Sequence, residues 1–276
     1  MKEEQLQKII TAAGYIGAVI FCLAPFIYML IISFSGDPDF LAQGRKISFT
    51  LQHYSDVIAG RNLHFLDYLK NSIIVSSAAS VITVIIASLG AFAVTRMEFK
   101  GKITVLLAVL CMSMFPQISI AGYIFKIMSS AGLINTKTGL IMPYVAWALP
   151  LSLWILTGYF ASLPKSLDDA AYIDGAGPFQ VFWRIILPVA APGIASTLLL
   201  AFIFSFNEFL FALMLTTDHT ARTVPVGIAL FTGLHGQTPW GQIMAASAVT
   251  TAPIIIMTVV FQKKIVQGLT KGAVKE

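Results

Sequence analysis

Ser166-Leu-Asp-Asp-Ala-Ala-Tyr-Ile-Asp-Gly-Ala-Gly-Pro-Phe-Gln-Val-Phe-Trp-Arg-Ile-Ile-Leu-Pro188 is a mixed polar and apolar stretch set between two long apolar blocks. Ser166 can cap a helix, and Asp169 stands three positions later, where a carboxylate can reach back to the cap. Ala170 to Ile173 continue that helix, and Gly175 supplies a left-handed residue to end it. Pro178 suits the first position of a second helix, with Phe179, Phe182 and Trp183 falling on one face. The pattern predicts helix, glycine turn, helix. It is too short and polar to cross a bilayer and too structured for a plain linker.

What surrounds this stretch is membrane. Hydrophobic residues make up 57% of the chain and charged residues 11%, whereas a soluble domain carries about 25% charge. Six apolar blocks are long enough to span: 9–35, 71–95, 103–125, 139–161, 193–215 and 243–266. The expectation is an all-α membrane protein, a single transmembrane domain over 1–276, with the 162–191 loop between the fourth and fifth helices. The first block is read as a retained helix, because it is long, contains Pro25 and is followed by no small-residue cleavage site. Pro116, Pro143, Pro150 and Pro253 predict kinks or breaks in the third, fourth and sixth blocks. Placing the amino terminus inside puts eleven of the 18 Lys and Arg on the cytoplasmic side. Both termini and the 162–191 loop are then cytoplasmic.

Catalytic and metal chemistry find little support. Cys22 and Cys111 lie inside apolar blocks, and no C-x-x-C spacing occurs. His53, His64, His219 and His235 fall in polar connectors and read as solvated, with no metal site. No phosphate-binding loop, H-E-x-x-H or G-x-S-x-G is present, and the spans hold no paired catalytic groups. A transporter without a nucleotide motif takes its energy from an ion gradient or from a partner ATPase. An ion-coupled secondary carrier usually places several ionisable groups in its spans. Here Glu208, beside Asn207, is the one clear intramembrane acid. Asn207 and Glu208 have two readings, a polar clasp between helices or a lining of the transport path.

Asp169-Ala170-Ala171, Gly175, Ile185 and Leu187-Pro188 resemble, at every spacing, the EAA loop of permease subunits of ABC importers, with Asp169 where that pattern has Glu. Phe99-Lys-Gly-Lys102 and Ser205-Phe-Asn-Glu-Phe209 are similar to the same family's basic turn and fifth-span motif, and the tail Gly268-Leu-Thr270, Gly272, Val274-Lys275 resembles the end of the smaller, second permease of maltose-type importers. Together they point to carbohydrate systems of the maltose and trehalose type. Phe206 stands where many members have Trp.

The resemblance implies a non-catalytic sugar-importer subunit in a prokaryotic inner membrane. It implies pairing with a second homologous permease, a dimer of ATPases and an extracytoplasmic sugar-binding protein. It implies that the chain binds no cofactor itself, with ATP and Mg on the partner ATPase. Asp169, Ala170, Ala171, Gly175, Ile185, Leu187 and Pro188 would form the segment that transmits ATPase closure. Thr270, Lys271, Gly272, Val274 and Lys275 would reach the ATPases from the tail. The outer loop carrying Gly233, Leu234, His235, Gly236 and Gln237 would meet the binding protein. An importer permease for another substrate class and an ion-coupled carrier remain as alternatives.

Overall fold

A computed structural model describes residues 2–36, 48–60, 63–231 and 238–273. These residues are almost wholly helical and form two compact units, one within Met1–Leu66 and Ile228–Ala252, the other within Asp67–Gly227 and Pro253–Glu276. Gly233 to Gln237, Val274 and Lys275 lie outside the described residues.

The first unit contains α1 (Lys2–Ser33) and α2 (Gln52–Ala59). The charged start of the chain is part of α1, and Pro25 does not interrupt it. After α1 the chain makes an isolated antiparallel bridge, Ser35 to Phe49, and the Phe34 and Phe49 rings stack at 5.3 Å. His53 is half-buried here rather than solvated, with Nε2 2.9 Å from the Ser35 carbonyl oxygen. Gln242 Nε2 donates to Asp56 Oδ2 at 3.2 Å.

The second unit carries α3 (Phe65–Arg96), α4 (Lys102–Met112), α5 (Gln117–Ser130), α6 (Lys137–Ala161), α7 (Ser166–Ile173), α8 (Pro178–Val189), α9 (Ala191–Phe206), α10 (Leu210–Leu215) and α11 (Val224–Ala229). The last helix, α12 (Trp240–Ala273), runs through both units. Among the described residues, four helices are long and apolar enough to cross a membrane, and up to six spans result if each of two bent pairs counts as one.

Proline behaves differently in different blocks. The third block is α4 and α5, bent by 92°. Pro116 is extended (ψ 130°) and has no N–H to give, and Ser113, Met114 and Phe115 tighten into i−3 bonds ahead of it. Pro143 and Pro150, by contrast, leave α6 as one helix. Tyr144, Leu153 and Leu156 bury its flanks and hold the remaining ladder in place. Pro253 likewise lies inside an unbroken α12.

Two apolar cores hold the second unit. One gathers Phe92 of α3, Leu106 of α4, Leu156 and Phe160 of α6, Ala171 of α7, and Val181, Phe182 and Ile186 of α8. The other gathers Val75, Met128, Leu140, Tyr144, Phe211 and Val226. The α6–α9 approach needs a bare backbone, since a Cβ on Gly193 would lie 2.5 Å from Tyr159 Cγ. The windows that make α1 and α12 apolar are only 11% buried, so their surfaces suit lipid or another chain rather than water.

Candidate functional site

The α7–α8 segment is built as a helical hairpin closed by a glycine turn. α7 starts at Ser166 with Lys165 as the residue before it, and no side chain caps it. The expected Ser166 cap is therefore absent, because Ser166 is already inside the first turn. The other end matches expectation. Gly175 takes φ +79°, Ala176 N donates to Ala171 O at 2.9 Å and Gly175 N to Tyr172 O at 3.1 Å. That is the Schellman arrangement. Pro178 opens α8, and Gln180 Oε1 accepts the Gly177 N–H at 3.2 Å. A wider π turn over Phe182–Ile186 follows, and α8 meets α9 at 78°.

One face of the hairpin is anchored and the other is open. Ala171, Val181, Phe182 and Ile186 are buried in the core, and the Phe182 ring packs on Phe92 at 5.2 Å. Ile185 and Leu187 pack partly against the same core. Asp169, Ala170, Gly175 and Pro188 are exposed. So are two large apolar side chains, Ile173 (86% exposed) and Phe179 (71%). Phe179 thus does not pack against the spans as Phe182 does. Exposed apolar residues beside Asp169 and Ala170 make a surface suited to a protein partner. Ile173 was missed in the sequence because it reads there as one more helix-core residue.

The two aspartates at the start of α7 differ. Asp169 faces out, while Asp168 is 6% exposed. Asp168 Oδ2 lies 2.9 Å from Arg96 Nε. Burial pushes the Asp168 carboxyl above its ordinary range, and the Arg96 guanidinium pulls the other way.

The fifth block is broken in the middle. α9 ends at Phe206, and α10 begins at Leu210. Glu208 fills the break: Oε1 accepts Phe211 N–H at 2.9 Å, and Oε2 accepts Ala212 N–H at 3.1 Å. Its carboxylate caps the orphan donors of α10 from a buried position, close to Tyr144. Asn207 points the other way. It is exposed, and its Nδ2 donates to Ile203 O at 2.8 Å. The structure thus separates two residues that the sequence paired.

An apolar cavity of about 440 Å³ lies against the π turn, lined by Val84, Ser88, Phe182, Trp183, Leu187 and Ala195 among others. Ser88 is the one side chain with a hydrogen-bonding group in that lining apart from the Trp183 indole, so it is poorly equipped to hold a sugar.

Comparison with known proteins fits this architecture. The model of the family described as binding-protein-dependent transport system inner membrane component matches residues 74–271. The chain belongs to this family. It is 54% identical, over all of its own length and 99% of the relative's, to the trehalose/maltose transport system permease protein MalG of Thermococcus litoralis. It is 40% identical over 259 residues, 92% of this chain and 93% of the relative, to the trehalose transport system permease protein SugB of Mycobacterium tuberculosis. In fold it is similar to a chain of a bacterial ABC transporter involved in the import of the acidic polysaccharide alginate, with a TM-score of 0.79, 21% identity and coverage of 96% and 98% of the two chains. The chain is an inner-membrane component of a binding-protein-dependent transporter, with several apolar helices.

Proposed function

We propose that this permease is one half of the translocation path of an ATP-driven importer for a disaccharide or oligosaccharide of the trehalose or maltose type. The α7–α8 hairpin docks on a partner ATPase. The observation that carries this reading is the hairpin itself, with a core-anchored face and an exposed face of Asp169, Ala170, Ile173 and Phe179. A rigid body of that kind, tied to α6 and α9, converts closure of two ATPase subunits into rocking of the spans. The chain's similarity to the trehalose/maltose permease and the trehalose permease supports the sugar class.

In this reading both termini and the hairpin are cytoplasmic. Catalysis of ATP hydrolysis, with its Mg, belongs to the ATPase, and a second permease completes the path. The extracytoplasmic binding protein meets the loop of Gly233 to Gln237. The end of α12, with Thr270 to Gly272, continues into the tail that reaches the ATPases. Asn207, exposed in the middle of an apolar block, lines the path, and Glu208 serves as the clasp of the broken helix. Because Glu208 is occupied in capping α10, it is a poor candidate for an ion-coupling acid, which weighs against a secondary carrier.

Affinity purification in mild detergent, followed by mass spectrometry, tests the assembly. An ATPase and a second permease are expected to come with the chain. A lone chain whose transport is abolished by an uncoupler and survives ATP depletion would overturn the proposal.

A further inference from the structure

The carboxyl end of α3 carries a buried cation. Arg96 is the last residue of that helix, and its side chain is 4% exposed. Its guanidinium has two partners from elsewhere in the chain. Nε lies 2.9 Å from Oδ2 of Asp168, whose side chain is 8% exposed, and Nη2 donates to the Leu163 carbonyl at 3.0 Å. Leu163 closes the turn after α6, with its N–H on Phe160 O at 3.2 Å. Asp168 is the third residue of α7. One planar group therefore joins the end of α3, the exit from α6 and the first turn of α7.

The chemistry suits a clamp more than a staple for stability. An ion pair this deeply buried costs much of its Coulomb gain in lost hydration, and a well-packed apolar pair would often serve stability equally well. The pairing is also incomplete, since Asp168 Oδ1 and Arg96 Nε are both buried without a hydrogen bond, the 2.9 Å contact being an ion pair only. What the arrangement does supply is a fixed position. The Nη2 hydrogen bond orients the guanidinium plane on the Leu163 carbonyl, and its charge holds the Asp168 carboxylate beside it. The positive charge also sits where the carbonyl ends of α3 and α6 are negative, and the carboxylate sits in the first turn of α7, where negative charge is favoured. Through the chain, α7 is already tied to α6 on one side and to α8 and α9 on the other. Without Arg96 it has no polar tie to α3 among the described residues.

We propose that Arg96 is a positioning residue of the hairpin: acting through Asp168 and the Leu163 carbonyl, it clamps α7 to the end of α3, so that displacement of α7 moves α3 along with α6 and α9. The inference rests on the reading of the hairpin as the ATPase-docking element, and it adds the span on which that element also pulls.

The test uses the whole assembly, both permeases with the ATPase and the binding protein, in proteoliposomes. Two quantities are measured for R96Q, D168N and D169K. One is the number of sugar molecules imported per ATP hydrolysed. The other is the spread of distances between spin labels at Glu98 and Asp174, with and without ATP. A clamp predicts that R96Q and D168N lower the ratio by about fivefold or more, and that the label distance, constant in the parent, varies across the ATP cycle in both. If both variants keep the parent ratio and label distance, losing only yield of assembled complex, Arg96 is merely structural and the clamp is wrong. D169K separates the two levels. If it uncouples while R96Q and D168N do not, only the clamp falls. If D169K too keeps the parent ratio, the docking role of the hairpin fails with it.

Discussion

Glu208 Oε1 accepts the backbone N–H of Phe211 at 2.9 Å, so a carboxylate within an apolar block closes the end of the helix that follows it. The second oxygen does the same for Ala212 at 3.1 Å. Replacing Glu208 by Ala leaves two buried donors without an acceptor, each costing about 1–3 kcal/mol. Glu208→Ala is therefore expected to lower the melting temperature of the detergent-purified complex. Glu208→Gln, which keeps one acceptor, should lower it less. Equal melting of all three proteins would mean that the cap contributes nothing.

The tight approach of α6 and α9 gives a second expectation. A methyl group at Gly193 would collide with the Tyr159 ring, which is itself buried. Overpacking of this kind costs about 1–3 kcal/mol. Gly193→Ala should destabilise the protein in the same melting assay, and Tyr159→Leu should relieve part of the loss in the double variant. A fully additive double variant would show that the two positions do not meet.

The hairpin was legible because its signals are local: a left-handed glycine at 175, a proline at 178 and apolar residues at helical spacing. The direction in which Asp168 and Asp169 face was not. Adjacent aspartates look alike in sequence, and only the return of α3 decides that Asp168 is the buried one. Arg96, directly after the second apolar block, gives no sign of its buried partner for the same reason. The break at 207–209 was hidden because Asn and Glu within an apolar block look like polar residues on a continuous helix. The bend of 92° at Pro116 and the unbroken α6 show that proline marks a lost hydrogen bond, while the surrounding packing decides whether the helix turns.

Gly175 supports a third prediction. A side chain there meets nothing within 4 Å, so the barrier to substitution is backbone conformation alone. The left-handed region costs about 1–2 kcal/mol for an ordinary L-residue. Gly175→Asn should be tolerated better than Gly175→Val, because Asn visits that region more readily. Limited proteolysis between α7 and α8 would report it, with Gly175→Val cleaved faster. Equal cleavage of the two variants would remove the Schellman turn as the reason for glycine.

The end of α12 carries a fourth. Removal of residues 270–276 takes away its last turn and the tail beyond. In the reconstituted complex this deletion is expected to lower the ATPase rate while leaving the two permeases associated. An unchanged rate would exclude the tail from the coupling proposed for it.

The Arg96–Asp168 pair makes stability depend on pH in a way that one substitution amplifies. Burial raises the Asp168 carboxyl above its ordinary value of 3.8, and Arg96 opposes that rise. In Arg96→Gln the opposition is gone, so the folded-state value climbs further. An acid whose folded value lies above its unfolded value favours folding most at low pH, and that contribution disappears as pH rises through the folded value. Arg96→Gln should therefore melt close to the parent in acid and fall progressively below it as the pH climbs from 3.8 through the raised value. Adding Asp168→Asn, which removes the titrating group, should flatten the difference. Melting curves of the three proteins across that range check the sign. A gap that widens toward acid, or one that persists in the double variant, would mean that Asp168 is not the group whose proton Arg96 controls.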